Sequence, residues 1–130
     1  MVVIGGMGGR LDQEMASFHS LFKWGPFFDR IVLYGRPSIA YLLPPGKHHI
    51  IPLPAESTPG NYCGYFPLAG ATPSVKVTTT GLGYDVSQTE FQFGKFVSSS
   101  NYIKPDVSEV RIETSGYLLF THSPARVTML

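Results

Sequence analysis

Arg10, Asp12 and Gln13 stand together behind a glycine-rich run, "GGMGG" at residues 5 to 9. These are residue types that phosphoryl-group chemistry uses. Arg10 offers a planar fork of donors to phosphate oxygens. Asp12 could bind Mg²⁺ or orient a hydroxyl nucleophile, and Gln13 could hydrogen-bond a substrate. Gly8 and Gly9 lack side chains, so a polyphosphate could approach their amides, and a helix N-terminus would add partial positive charge. The run is not a P-loop, because no Gly-Lys-Ser/Thr follows it. It also fails the dinucleotide fingerprint, whose third glycine would fall at Leu11. A tight strand-to-helix turn capped by Asp12 accounts for the same residues without a ligand, so both readings stand at this point.

The elements around the run have recognisable patterns. "VVI" at 2 to 4 is a short apolar strand. Met15, Phe18 and Phe22, flanked by Leu11 and Leu21, give helical spacing over 12 to 24, ended by Gly25-Pro26. "RIVLYG" at 30 to 35 reads as a strand, and "SIAYLL", "PPGK" and "HHIIPL" predict a hairpin turning at 44 to 47. "NYCGYF", "SVKVTTT", "EFQFGKFV", "SEVRIET" and "YLLFTH" follow as short strands rich in β-branched and aromatic residues. In "SEVRIET", Val110 and Ile112 alternate with Glu109, Arg111 and Glu113, predicting one buried face and one solvated face. The fold class that emerges is mainly β, an antiparallel sandwich preceded by a strand-loop-helix piece of an α/β domain. The expected division is 1–36 for that piece and 37–130 for the sandwich. An isolated strand and helix cannot make a doubly wound sheet, so the first piece reads as the end of a domain that begins further upstream.

Composition narrows the function classes. Of 130 residues, 43% are hydrophobic and 15% charged, a globular balance. The net charge of +1 has no block of Lys or Arg behind it, so no nucleic-acid partner is expected. No apolar run approaches the roughly 20 residues a membrane-spanning helix needs, and the N-terminus does not read as a signal peptide. One cysteine, Cys63, excludes an internal disulfide and a cysteine-rich zinc site, and points to a cytoplasmic, reducing setting. Cys63 reads as a small buried residue. His48 and His49 are adjacent on a strand and face opposite ways, so they read as surface-hairpin histidines rather than a metal pair.

Four ordered blocks carry a resemblance. "GGMGGRLDQEMAS" at 5 to 17, "YLLPPGKHHI" at 41 to 50, "VTTTGLGYDV" at 77 to 86 and "FGKFVSSSN" at 93 to 101 resemble thiamine pyrophosphokinase, and "VRIETSGYLLFT" at 110 to 121 fits its closing strands more loosely. That family makes thiamine diphosphate from thiamine and ATP. The resemblance implies the end of an N-terminal Mg-ATP domain and a whole C-terminal β-sandwich, in a homodimer with thiamine at the interface. The family's upstream acidic cluster has no counterpart in these residues.

Carried over by position, Arg10 would contact the polyphosphate, Asp12 would serve the metal or the thiamine hydroxyl, and Gln13 would position substrate. Gly8 and Gly9 would form the phosphate loop. Ser98, Ser100 and Asn101 would reach thiamine across the dimer. Tyr84 stands where animal enzymes tend to have a tryptophan and would face the cationic thiazolium. Without the resemblance, Tyr84 reads as a sheet aromatic and the serines as a polar turn. Two readings compete with the enzyme: a non-catalytic dimeric thiamine-binding sandwich, and a structural oligomer whose site residues are relics.

Overall fold

The computed structural model describes residues 1–36, 38–52, 62–68 and 74–123. Strand β1 is Val2–Ile4, and the glycine run leads into helix α1, Leu11–Trp24. Gly25 and Pro26 then tighten the chain into one 3₁₀ turn, Gly25–Phe27. The remaining strands are β2 (Val32–Tyr34), β3 (Ile39–Leu43), β4 (Gly46–Ile50), β5 (Tyr62–Phe66) and β6 (Val75–Thr80), then β7 (Thr89–Phe91), β8 (Ser98–Tyr102), β9 (Val110–Thr114) and β10 (Leu118–His122).

Among the described residues these strands make two sheets, a β-sandwich, in the orders β1-β2-β3-β10-β5-β8 and β4-β9-β6-β7. Within the sheets the pairing is antiparallel except between β1 and β2, which run parallel. Parallel neighbours need a long crossover, and α1 supplies it. β2 then pairs with β3, so the first strands and the later ones share one sheet.

Tyr41, Leu43, Tyr65 and Phe120 of the larger sheet meet Val75, Val77, Phe91, Val110 and Ile112 of the smaller in the main core. Strand β9 shows the expected alternation, with Val110 and Ile112 buried and Arg111 and Glu113 exposed. Each such fully buried aliphatic or aromatic side chain contributes about 1.5–3 kcal/mol. Phe120→Ala, at the centre, would cost about 3–5 kcal/mol. A second cluster, Leu21, Ile31, Leu33, Ala40 and Leu119, seats α1 on the outer face of the larger sheet.

Four local readings change. The helix buries Leu21 rather than the whole expected stripe; Leu11 and Met15 remain 70% and 54% exposed. Its N-cap is Arg10, not Asp12, and no side chain caps it. Asp12 lies inside the first turn because its carboxylate takes the Arg10 guanidinium instead of a backbone amide.

The "PPGK" segment is not a hairpin turn. β3 belongs to the larger sheet and β4 pairs with β9 in the smaller, so the turn carries the chain over the corner of the sandwich. Finally, "EFQFGKFV" is not one strand. It breaks after β7 at a tight turn in which Gln92 and Phe96 exchange backbone hydrogen bonds of 3.0 and 3.1 Å.

Candidate functional site

The glycine loop turns between β1 and α1, with Gly8 at a φ of 92°, a left-handed conformation that glycine adopts without steric cost. The Gly8 amide donates to Glu14 Oε1 at 2.6 Å, so the first full turn of α1 reaches back to hold the loop. Arg10 Nε and a terminal guanidinium nitrogen donate to the two Asp12 oxygens at 3.1 and 2.6 Å. Both side chains are mostly in solvent, and Gln13 is exposed beside them. This end of the molecule thus offers an uncapped helix N-terminus and a guanidinium fork, groups that attract and orient an anion, with the Asp12 carboxylate occupying the fork. Glu14 gave no signal in the sequence, since with Asp12 as the cap it reads as an ordinary solvent-facing helix position.

A magnesium ion fits these residues poorly. Asp12 is already forked onto Arg10, and among the described residues no group of three His, Cys, Asp or Glu side chains could hold a metal. His48 and His49 do not converge either. His48 Nε2 lies 2.7 Å from the Pro44 carbonyl oxygen, while His49 Nδ1 bonds Glu109. Arg111, followed by His49, holds the Glu109 carboxyl below its usual pKa. Cys63 is buried and its thiol is pushed up to about 12 by burial, which leaves it inert as a nucleophile.

Tyr84, Ser98 and Asn101 come together at the far edge of the larger sheet. Asn101 is 2% exposed. Its Oδ1 accepts from the Tyr84 amide at 3.0 Å and the Tyr102 amide at 2.9 Å. Its Nδ2 donates to the Tyr84 carbonyl at 3.0 Å and to Ser98 Oγ at 3.4 Å. Two acceptor and two donor positions fill the carboxamide's capacity. Asn101 therefore ties the Tyr84 turn to β8.

The turn that carries Tyr84 is held from a second side. Asp85 Oδ1 accepts from the Leu82 amide and the Thr79 hydroxyl, both at 3.0 Å, and Oδ2 from the Gly81 amide at 3.1 Å. Lys104 Nζ lies 3.4 Å from the same carboxylate. Burial alone would raise the Asp85 pKa, but the Leu82, Thr79, Gly81 and Lys104 hydrogen bonds outweigh it and hold the carboxyl below its usual value. Nothing in the sequence singles out Asp85. Only the fold brings two amides, a hydroxyl and an ammonium onto it.

Ser100 lies apart from this network. β8 pairs Asn101 with Cys63 and Ser98 with Tyr65, with a register shift between them, and Ser100 takes a φ of 56°. Opposite the shift, Gly64 lies so close that a Cβ there would sit 2.9 Å from the Ser98 carbonyl oxygen. The bulge puts Ser99 and Ser100 on the rim of an open groove of about 200 Å³, with Tyr62, Thr121 and Ser123. Nearby, the Tyr65 hydroxyl is buried close to Ser98 and Thr79 with no hydrogen bond of good geometry to either.

The glycine-loop group and the Tyr84 group do not meet within one chain. A cleft of about 490 Å³ borders the loop through Met7, Gly8 and Glu14, and its far wall is Phe66 and Phe93. Tyr84, Ser98 and Asn101 do not line it.

The fold and this corner define a two-sheet β-sandwich domain with an aromatic turn pinned to its edge strand. The sequence comparisons make this specific. Residues 48–119 match the family model described as "Thiamin pyrophosphokinase, vitamin B1 binding domain", and the chain belongs to that family. Thiamine pyrophosphokinase 1 of Arabidopsis thaliana is 36% identical over 123 residues, 95% of this chain and 43% of that protein. Thiamine pyrophosphokinase 2 of Oryza sativa subsp. japonica is 34% identical over 128 residues, 98% of this chain and 45% of its own length. The chain thus spans less than half the length of these relatives. Thiamin pyrophosphokinase from Candida albicans superposes with a TM-score of 0.84 at 25% identity, covering 94% of this chain and 43% of that one. The Bacillus subtilis thiamine pyrophosphokinase structure shares the fold, with a TM-score of 0.76 at 21% identity over 94% of this chain and 54% of its own.

Proposed function

We propose that this chain is the thiamine-binding portion of a cytoplasmic thiamine pyrophosphokinase, which moves a diphosphate from ATP to the hydroxyl of thiamine. The thiamine oxygen would form a bond to the β-phosphorus as the bond from that phosphorus to the α–β bridging oxygen breaks. AMP leaves with that oxygen, and the hydroxyl proton is lost. The observation that carries this reading is the family match, supported by the doubly pinned turn that presents Tyr84. Residues 37–130 would bind thiamine, and 1–36 would close an α/β domain that carries ATP with Mg²⁺.

In this reading Arg10 exchanges Asp12 for the polyphosphate, and the freed Asp12 carboxylate can accept the hydroxyl proton. Gln13 orients the substrate, and the Gly9 amide, joined by the Gly8 amide once Glu14 releases it, faces phosphate oxygens. Tyr84 and Ser100 would touch thiamine, while Ser98 and Asn101 hold Tyr84 in place. The separation of the two groups within one chain favours a homodimer in which each site draws on both subunits. The protein supplied with thiamine, ATP and Mg²⁺ should release AMP and thiamine diphosphate in equal amounts. Failure of the complete protein to do so would end the enzyme reading.

The lack of a metal cluster among the described residues favours a second reading, a dimeric thiamine-binding sandwich without catalysis. Calorimetric titration separates the two. The enzyme's thiamine affinity changes when Mg-ATP is present, and the binding module's does not.

A further inference from the structure

Tyr102 ends strand β8 and its ring lies across Gly83, where an added Cβ would fall 2.1 Å from Tyr102 Cε1. The Gly83 amide donates to the Tyr102 carbonyl at 2.8 Å, so turn and strand are joined at this point. The Tyr102 ring also meets Tyr84, with centroids 5.9 Å apart and planes at 82°. Tyr84 and Tyr102 are 69% and 39% exposed, and Tyr62, opposite Tyr102 on β5, is 59% exposed. Single aromatics are exposed elsewhere on the sandwich, Phe93 and Tyr117 among them, but this corner gathers three such rings, and the edge contact between Tyr84 and Tyr102 leaves both partly in water. The charges that flank the corner, Asp85 and Lys104, pair with each other at 3.4 Å and leave no net charge to repel a cation.

We infer that Tyr102 is a specificity-determining residue, the second aromatic wall of the site that Tyr84 begins, and that the pair selects a flat cationic ring. The inference rests on the proposed thiamine reading. Two rings near a right angle offer a face to a ligand and a perpendicular side wall, so a planar cation gains attraction from both quadrupoles. Gly83 is what allows the second wall, because any side chain there would displace the ring. The turn is pinned by Asp85 and Asn101, so the corner exists before ligand arrives and binding need not order it.

The test is titration of the chain with thiamine and with an uncharged analogue in which a neutral ring replaces the thiazolium. Tyr102→Leu should weaken thiamine roughly 3- to 30-fold and the neutral analogue distinctly less, while Tyr102→Phe should stay within about twofold of wild type for both. Gly83→Ala, which moves the ring without removing it, should weaken thiamine in the same direction. Equal losses for charged and neutral ligands, or unchanged thiamine affinity in Tyr102→Leu and Gly83→Ala alongside a loss in Tyr84→Leu, would overturn the inference alone. No thiamine binding by the wild-type chain would overturn the site reading, and this inference with it.

Discussion

The two ends of this domain are built on opposite terms. At the glycine loop, Arg10, Asp12 and Gln13 stand in solvent and are fixed by an exposed ion pair and one Glu14 bond. At the sheet edge, the Tyr84 turn is held by a buried carboxamide, a half-buried carboxylate and a backbone bond to Tyr102. Surface ion pairs contribute little, whereas a buried polar group stripped of its partner costs about 1–3 kcal/mol. The contrast separates a rigid, pre-formed aromatic turn from a set of side chains able to change partners. Under the proposed function, groups that release one another to meet a polyphosphate are better left in water.

The hardest blow to the rigid end is Asn101→Ala. It removes the partners of the Tyr84 amide and carbonyl and the Tyr102 amide together, and should cost about 3 kcal/mol in urea denaturation while abolishing thiamine binding. An unchanged midpoint would mean the carboxamide network contributes nothing. Asp85→Ala comes next, at about 2 kcal/mol, because two turn amides lose their acceptor. Asp85→Asn should recover part of that by keeping one acceptor oxygen.

Acid sharpens the same difference. The Asp85 carboxyl titrates below its ordinary 3.8 in the fold. Its contribution is therefore complete above that value and is lost as pH falls through the lower folded value. His122 acts earlier. Burial between Tyr41 and Phe120 holds its pKa below 6.5, so the unfolded chain takes the proton first. Stability should begin to fall as pH drops past 6.5, and His122→Gln should flatten a melting profile between pH 7 and 5. At the other end, Arg10→Ala and Asp12→Ala should each change stability by less than about 0.5 kcal/mol in the same denaturation. A larger loss would mean that the ion pair is structural and the comparison is mistaken.

Side-chain periodicity made the sandwich legible where one strand face is buried. Val110 and Ile112 announced β9 because the pleat fixes which residues face the core. Pairing partners were less visible. Pro44, Pro45 and Gly46 mark a reversal equally well whether the next strand returns beside β3 or crosses to the other sheet, and only the β4–β9 register decides. The cap failed for a related reason, since a carboxylate two residues from an arginine can choose the guanidinium over a backbone amide. The candidate site was legible as residue types but not as directions. Three positions separate Ser98 from Asn101, a spacing that a plain pleat would send to opposite faces, yet the bulge turns both inward.

That bulge has a numerical consequence. Ser98 and Asn101 are three positions apart but match Tyr65 and Cys63, which are two apart. A plain pleat would need only one residue between them, so β8 carries one serine that the sheet itself does not use. A chain one serine shorter could satisfy every ladder partner and keep the same core, while its groove would lack a hydroxyl on the rim. The ladder and the core do not account for that extra residue, whose hydroxyl the bulge leaves on the rim of the groove.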